Sequence, residues 1–259
     1  MLNRNLVTIL ALTIIAAFVF FTNQADAELT IEGLVSYYSF NEIKDDVVKD
    51  DWGPNGGILE GPTPPEVVPG KYGDGLRFDG IDSRVNCGND ESLDITEALS
   101  IEAWVYMESP GTYPTIVGKS GGNWGYIFEF LTDTRQINFY LDGANPSWAT
   151  MADTAVELEE WTHLVATFDG KTVAYYFNGE PDGDYATSGN PILSNQDNVH
   201  IGMRKIGEPY FFIGVLDEVR IYNRALNTAE ARANMNAKGL AVNPAETMAV
   251  TWGRIKASK

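Results

Sequence analysis

From Leu34 to Tyr222 the chain alternates short aromatic and β-branched runs with Gly, Pro, Asn and Asp, a punctuation that strongly favours antiparallel β-structure. Strands are expected near Leu34–Phe40, Leu76–Phe78, Arg84–Cys87, Ser100–Tyr106, Thr115–Lys119, Tyr126–Phe130 and Gln136–Leu141. Others are expected near Ala152–Leu158, Thr162–Phe168, Val173–Phe177, Val199–Gly202 and Phe211–Tyr222. Asp169-Gly170 and Asn178-Gly179 supply the positive φ of tight hairpin turns. About a dozen strands at this spacing suit a two-sheet antiparallel jelly roll better than a seven-stranded immunoglobulin-type sandwich. The expected class is therefore all-β, with one short C-terminal helix over 227–239. Asn227 is its N-cap, Glu230 completes a capping box, and Gly239 marks its stop.

The two ends read differently from the middle. Arg4 precedes an uncharged, mainly apolar run from Leu6 to Phe21, and Ala25-Asp26-Ala27 places small residues where a signal peptidase reads them. As a helix the run reaches about 24 Å, short of a ~30 Å hydrocarbon core. Residues 1–27 are thus expected to be a cleaved signal peptide, leaving a secreted, periplasmic or cell-surface protein with no membrane insertion after cleavage. The sandwich is expected over 28–226 and a C-terminal extension over 240–259. Met248–Trp252 in that extension reads either as an added edge strand or as a tail, ahead of the basic residues Arg254, Lys256 and Lys259.

Eighteen Lys and Arg against 36 Asp and Glu give a formal charge of −18, which argues against nucleic acid and anionic membrane surfaces as partners. Cys87 is the only cysteine, so no internal disulfide forms, and a chain of this size buries enough core without one. With no His close in sequence, Cys87 reads as a structural thiol.

Several stretches together resemble the laminin-G-like, concanavalin-A-like sandwich domains of bacterial exported proteins. They are Leu34–Glu42, Asp50–Gly57, Gly75–Gly80, Leu99–Val105, Trp161–Gly170, Tyr176–Gly179 and, most tellingly, Gly214–Leu226 with its Leu216-Asp217-Glu218-Val219-Arg220-Ile221-Tyr222 core. The resemblance implies a jelly roll whose first and last strands are neighbours. It also implies a carbohydrate- or protein-binding module, often with a structural calcium.

A period of two along the last strand puts Asp217 on one face with Val215, Val219 and Ile221. A carboxylate on an apolar face must be paired, hydrogen-bonded or metal-bound. Leu34, Ser36, Tyr38 and Phe40 share a face of the first strand, and Glu42 continues their parity. Neighbouring strands would let Glu42 approach Asp217. The Asp50–Gly57 loop, which resembles the family's calcium-associated loop, offers Asp50 and Asn55 as further oxygen donors. Glu42, Asp50, Asn55 and Asp217 are therefore the candidate Ca²⁺ ligands. A bulge turning Asp217 to solvent, or an arginine partner, is the alternative.

No catalytic constellation emerges. The glucanase pattern Glu-x-Asp-x-x-Glu, a Gly-x-Ser-x-Gly elbow and His-Glu-x-x-His are all missing from the sequence. His163 and His200 stand isolated and read as structural. Sugar recognition needs aromatic faces with polar groups beside them. Trp124 and Tyr126 in one Gly-rich stretch, Asn145 and Trp148 in another, and Arg204 with Tyr210 in a third are the candidate ligand-binding residues. The expected function is a non-catalytic module recognising a glycan or a surface protein. A cell-surface scaffold without lectin activity, or a glycoside hydrolase or lyase of the same fold, are the alternatives.

Overall fold

The computed structural model describes residues 28–122, 124–147, 150–204 and 210–240. The signal segment, Trp148 and the extension beyond residue 240 lie outside them. The strands run β1 (Leu34–Tyr38), β2 (Ile43–Lys44), β3 (Val47–Val48), β4 (Gly57–Glu60), β5 (Glu66–Pro69) and β6 (Asp74–Asp79). Then come β7 (Arg84–Asn86), β8 (Leu99–Met107), β9 (Thr115–Ser120), β10 (Trp124–Phe130) and β11 (Ile137–Leu141). The last are β12 (Trp161–Phe168), β13 (Thr172–Phe177), β14 (Glu180–Ala186), β15 (Val199–Ile201) and β16 (Ile213–Tyr222), followed by helix α1 (Thr228–Asn236). The strand expected over Ala152–Leu158 is not formed. Only Ala155 makes an isolated bridge, to Gln136.

Two antiparallel sheets result. One has the order β14-β13-β12-β8-β16-β6-β5, with β1 also on β16; the other runs β11-β10-β9-β15-β7-β4-β3-β2. Their inner faces share one apolar core that includes Tyr38, Phe78, Val105, Phe128, Phe139 and Ile221. Alternation along each strand builds it, since every second residue faces inward. Asn178 and Gly179 both take positive φ at the β13–β14 hairpin, as their sequence foretells.

The first and last strands are neighbours as expected, but with a twist in register. β16 shares one edge between two partners: Ile213–Leu216 pair with β6, and Val219–Tyr222 pair with β1. At the gap Glu218 takes φ 54° and the register against β8 shifts, so that Asp217 faces Trp104 but Arg220 faces Glu102. This bulge inverts the parity. Leu216, not Asp217, joins Val219 and Ile221 in the inter-sheet core.

Helix α1 closes the outer face of the β16 sheet. The Asn227–Glu230 capping box forms as expected, while the helix ends at Asn236, before Gly239. Leu226, Ala231 and Ala237 pack there with Leu34, Tyr37, Val165, Tyr176 and Tyr222 in a second apolar cluster. Among the described residues no helix is long and apolar enough to cross a membrane.

Candidate functional site

Beneath α1 lies a buried charge lattice. Arg220, fully buried, donates from Nη1 to Glu102 Oε1 at 2.8 Å and from Nη2 to Glu218. Tyr37 OH donates to Glu218 at 2.8 Å, Tyr222 OH to Glu102 at 3.3 Å, and Asn234 Nδ2 to Glu102 at 3.0 Å. His163 Nε2 lies 3.6 Å from Glu102, both side chains fully enclosed. Burial alone would raise the Glu102 carboxyl, yet the Arg220 guanidinium holds it down to about 2. Substrate has no access to these carboxylates. The lattice ties β1, β8, β12, β16 and α1 together. Glu102 contributes stability above the ordinary carboxylate range, lost as pH falls from about 4.5 toward 2. Acid titration followed by circular dichroism is therefore expected to show unfolding across that window, with the step diminished in Glu102→Gln.

The four candidate calcium ligands do not form one set. Asp50 Oδ1 accepts the backbone N–H groups of Tyr37, Trp52 and Gly53 at 3.0, 3.0 and 2.8 Å, and its Oδ2 accepts that of Asn55 at 3.0 Å. Four donors fill the lone-pair positions of a carboxylate. Gly53 permits this closure, because a Cβ there would stand 2.2 Å from the Val35 carbonyl oxygen. Asn55 Nδ2 donates to Ser36 and Ser92 at 2.8 and 3.0 Å. Glu42 pairs with Lys49 at 2.9 Å, and the same lysine reaches Asp51 at 3.3 Å. Asp217, carried off the inter-sheet face by the bulge, accepts from Tyr72 N at 2.9 Å and Glu218 N at 2.7 Å. Burial pushes its carboxyl up to about 7 against the pull of those amides.

Lysine, arginine and backbone amides thus already answer the carboxylates at this junction. Among the described residues no group of three or more His, Cys, Asp or Glu could hold a metal ion. The four residues expected from sequence, each already engaged elsewhere, do not gather into one calcium site. Adding EDTA or millimolar calcium is expected to move the melting temperature by less than about 1 °C, measured by scanning fluorimetry.

A different assembly forms on the outer face of the other sheet. After β15 the chain crosses β9, where Ser120 Oγ donates to the Arg204 carbonyl at 2.8 Å. Gly118 makes room for the crossing, since a Cβ there would lie 3.0 Å from Arg204 Cα. Met203 bridges Phe211, which returns Tyr210 beside Arg204. The guanidinium carbon then sits 3.9 Å from the Tyr210 ring centre, 4.8 Å from that of Trp124 and 5.5 Å from that of Tyr113. Trp124 continues to Tyr140 at 5.2 Å, and Tyr113 meets Tyr210 at 5.7 Å.

All four rings are half-buried, forming a contiguous aromatic platform. Below it Arg204 Nη1 contacts both oxygens of buried Glu129, at 3.2 and 3.1 Å. Burial raises the Glu129 carboxyl to about 7, with Arg204 opposing the rise.

Of the residues expected from sequence, Trp124, Arg204 and Tyr210 come together here. Asn145 is exposed on the loop that leaves β11 beside Gly125, where Asp142 N donates to the Gly125 carbonyl at 2.8 Å. Tyr126 does not join them. It points into the core, 1% exposed, and donates to the Leu93 carbonyl at 3.0 Å. Trp148 lies outside the described residues. Sequence reasoning missed Tyr113, Tyr140 and Glu129. Tyr140 and Glu129 were visible in principle, since each alternates against inward aromatic neighbours.

The profile of the concanavalin A-like lectin/glucanases superfamily, Laminin_G_3, matches residues 79–232, and the chain belongs to that superfamily. No curated protein matches the sequence. Among solved structures, domain 4 of AbnA, an extracellular GH43 arabinanase of Geobacillus stearothermophilus in complex with arabinotriose, is 20% identical with a TM-score of 0.62. The match covers 78% of this chain and 98% of that one. The binding domain of Paraclostridial Mosquitocidal Protein 1 is 19% identical at a TM-score of 0.63, with 79% of this chain and 52% of that one covered. A Trypanosoma rangeli sialidase is 19% identical at a TM-score of 0.58, over 80% of this chain and 33% of the enzyme. At these identities the likeness establishes the jelly-roll fold.

Proposed function

We propose that the chain is an exported, non-catalytic module that binds carbohydrate on the Trp124–Tyr140–Tyr210–Tyr113 platform. The observation that carries this reading is the platform itself: three half-buried rings set around one guanidinium, with Tyr140 extending them beside Trp124. Sugar rings present apolar C–H faces that stack on aromatic surfaces, while neighbouring polar groups bond their hydroxyls. Asp142, which accepts the Tyr140 hydroxyl at 3.3 Å on the loop after β11, is such a group. A similarly folded domain with bound arabinotriose adds support. Export rests on the signal-like segment 1–27. The test is retention of the purified domain on a glycan array and in polysaccharide gels. Saturable retention by at least one glycan is expected, and none across a broad array overturns the reading.

A further inference from the structure

Resting on that reading, we propose that the platform selects uncharged glycans and rejects those bearing uronate or sialate carboxylates. The charge of Arg204 is turned inward. Its Nη1 is engaged by both Glu129 oxygens at 3.2 and 3.1 Å, the residue is 7% exposed, and three rings cover its guanidinium. Arginine here is a positioning residue for the rings rather than a clamp for an anion. Lys119, on neighbouring β9, is 1% exposed and spends its ammonium on the Asn89 side chain and, at 2.9 Å, on the Asp197 carbonyl.

Among the described residues, what remains around the platform is negative. Asp142 accepts the Tyr140 hydroxyl at 3.3 Å, and Asp197 accepts Gly122 N at 3.1 Å beside the turn that leads into Trp124. Both carboxylates are only half-buried. A formal charge of −18 adds a long-range field of the same sign. An incoming carboxylate meets repulsion on approach and, among the described residues, gains no fork of donors on arrival. A neutral sugar meets neither obstacle, and its apolar face finds the rings already ordered.

The groups facing Glu129 are Arg204, Thr115 of β9, whose Oγ1 is 3.4 Å away, and Asn138 of β11. Burial sets the Glu129 carboxyl near 7, so assays at pH 8 keep it ionised and assays at pH 5 protonate it. Replacing Glu129 by Gln, or lowering the pH to 5, adds one unit of positive charge to the platform.

The experiment pairs β-galactan with polygalacturonate and lactose with sialyllactose, within a broad array of neutral and anionic oligosaccharides at pH 8. Wild-type protein is expected to retain neutral members and to favour them at least about tenfold over anionic counterparts. Glu129→Gln is expected to raise retention of anionic members about fivefold. Should that variant fail to fold, the wild type at pH 5 supplies the same comparison. Preferential binding of anionic glycans by wild type at pH 8 overturns the proposal while leaving the sugar-binding reading intact. Unchanged rejection of anions with Glu129 neutralised also overturns it. No retention of any glycan removes the sugar-binding reading, and the proposal with it.

Discussion

Replacing Arg220 with methionine is expected to destabilise the domain by about 3–5 kcal/mol, read as a lower midpoint in urea unfolding. The residue stands fully buried between Glu102 and Glu218, and each carboxylate is less than 2% exposed. Removing the guanidinium leaves two enclosed carboxylates facing each other, with hydroxyl and amide donors from Tyr37, Tyr222 and Asn234 and the His163 imidazole 3.6 Å from Glu102. One way to relieve that repulsion is protonation, so the variant is also expected to regain stability as the pH is lowered toward 5. A change below about 1 kcal/mol would mean that the lattice is not what holds α1 and β1 against β16.

The second large effect concerns binding. Trp124→Ala is expected to weaken glycan affinity by about tenfold or more, equivalent to at least 1.4 kcal/mol. The indole supplies the stacking surface between Tyr140 and the Arg204 group, so its loss both removes contact area and releases the cation beneath. Its stability cost is smaller, because Glu129 and Tyr210 still hold Arg204. Melting curves therefore separate the binding defect from unfolding.

The sandwich was legible because both of its signals are local: alternation of period two, and turns that demand Gly, Asn or Asp. The Asn227–Glu230 capping box was legible for the same reason. The parity of β16 was not, since the bulge at Glu218 arises where β6 and β1 meet on one edge of that strand, a long-range event. That one residue moved Asp217 away from the face on which the calcium expectation rested. Glu42 is engaged differently: Lys49 lies close in sequence and pairs with it at the surface. Tyr126 was misassigned although the signal was present. It alternates in step with the core residues Phe128 and Phe130, so the Gly-rich stretch before it is already strand. The aromatic platform draws Trp124 from the start of β10 and Tyr113 and Tyr210 from two connections, and the crossing of Arg204 over Gly118 places one guanidinium beside all three.

The most direct test follows the tryptophan indole N–H resonances of the ¹⁵N-labelled domain while the best-retained oligosaccharide is added. Trp124 is half-buried on the platform, whereas Trp104 is 5% exposed on the opposite sheet beside Tyr72 and His163. The Trp124 resonance is expected to shift saturably with ligand while that of Trp104 stays fixed. Saturable binding that moves Trp104 and leaves Trp124 unmoved would contradict the account.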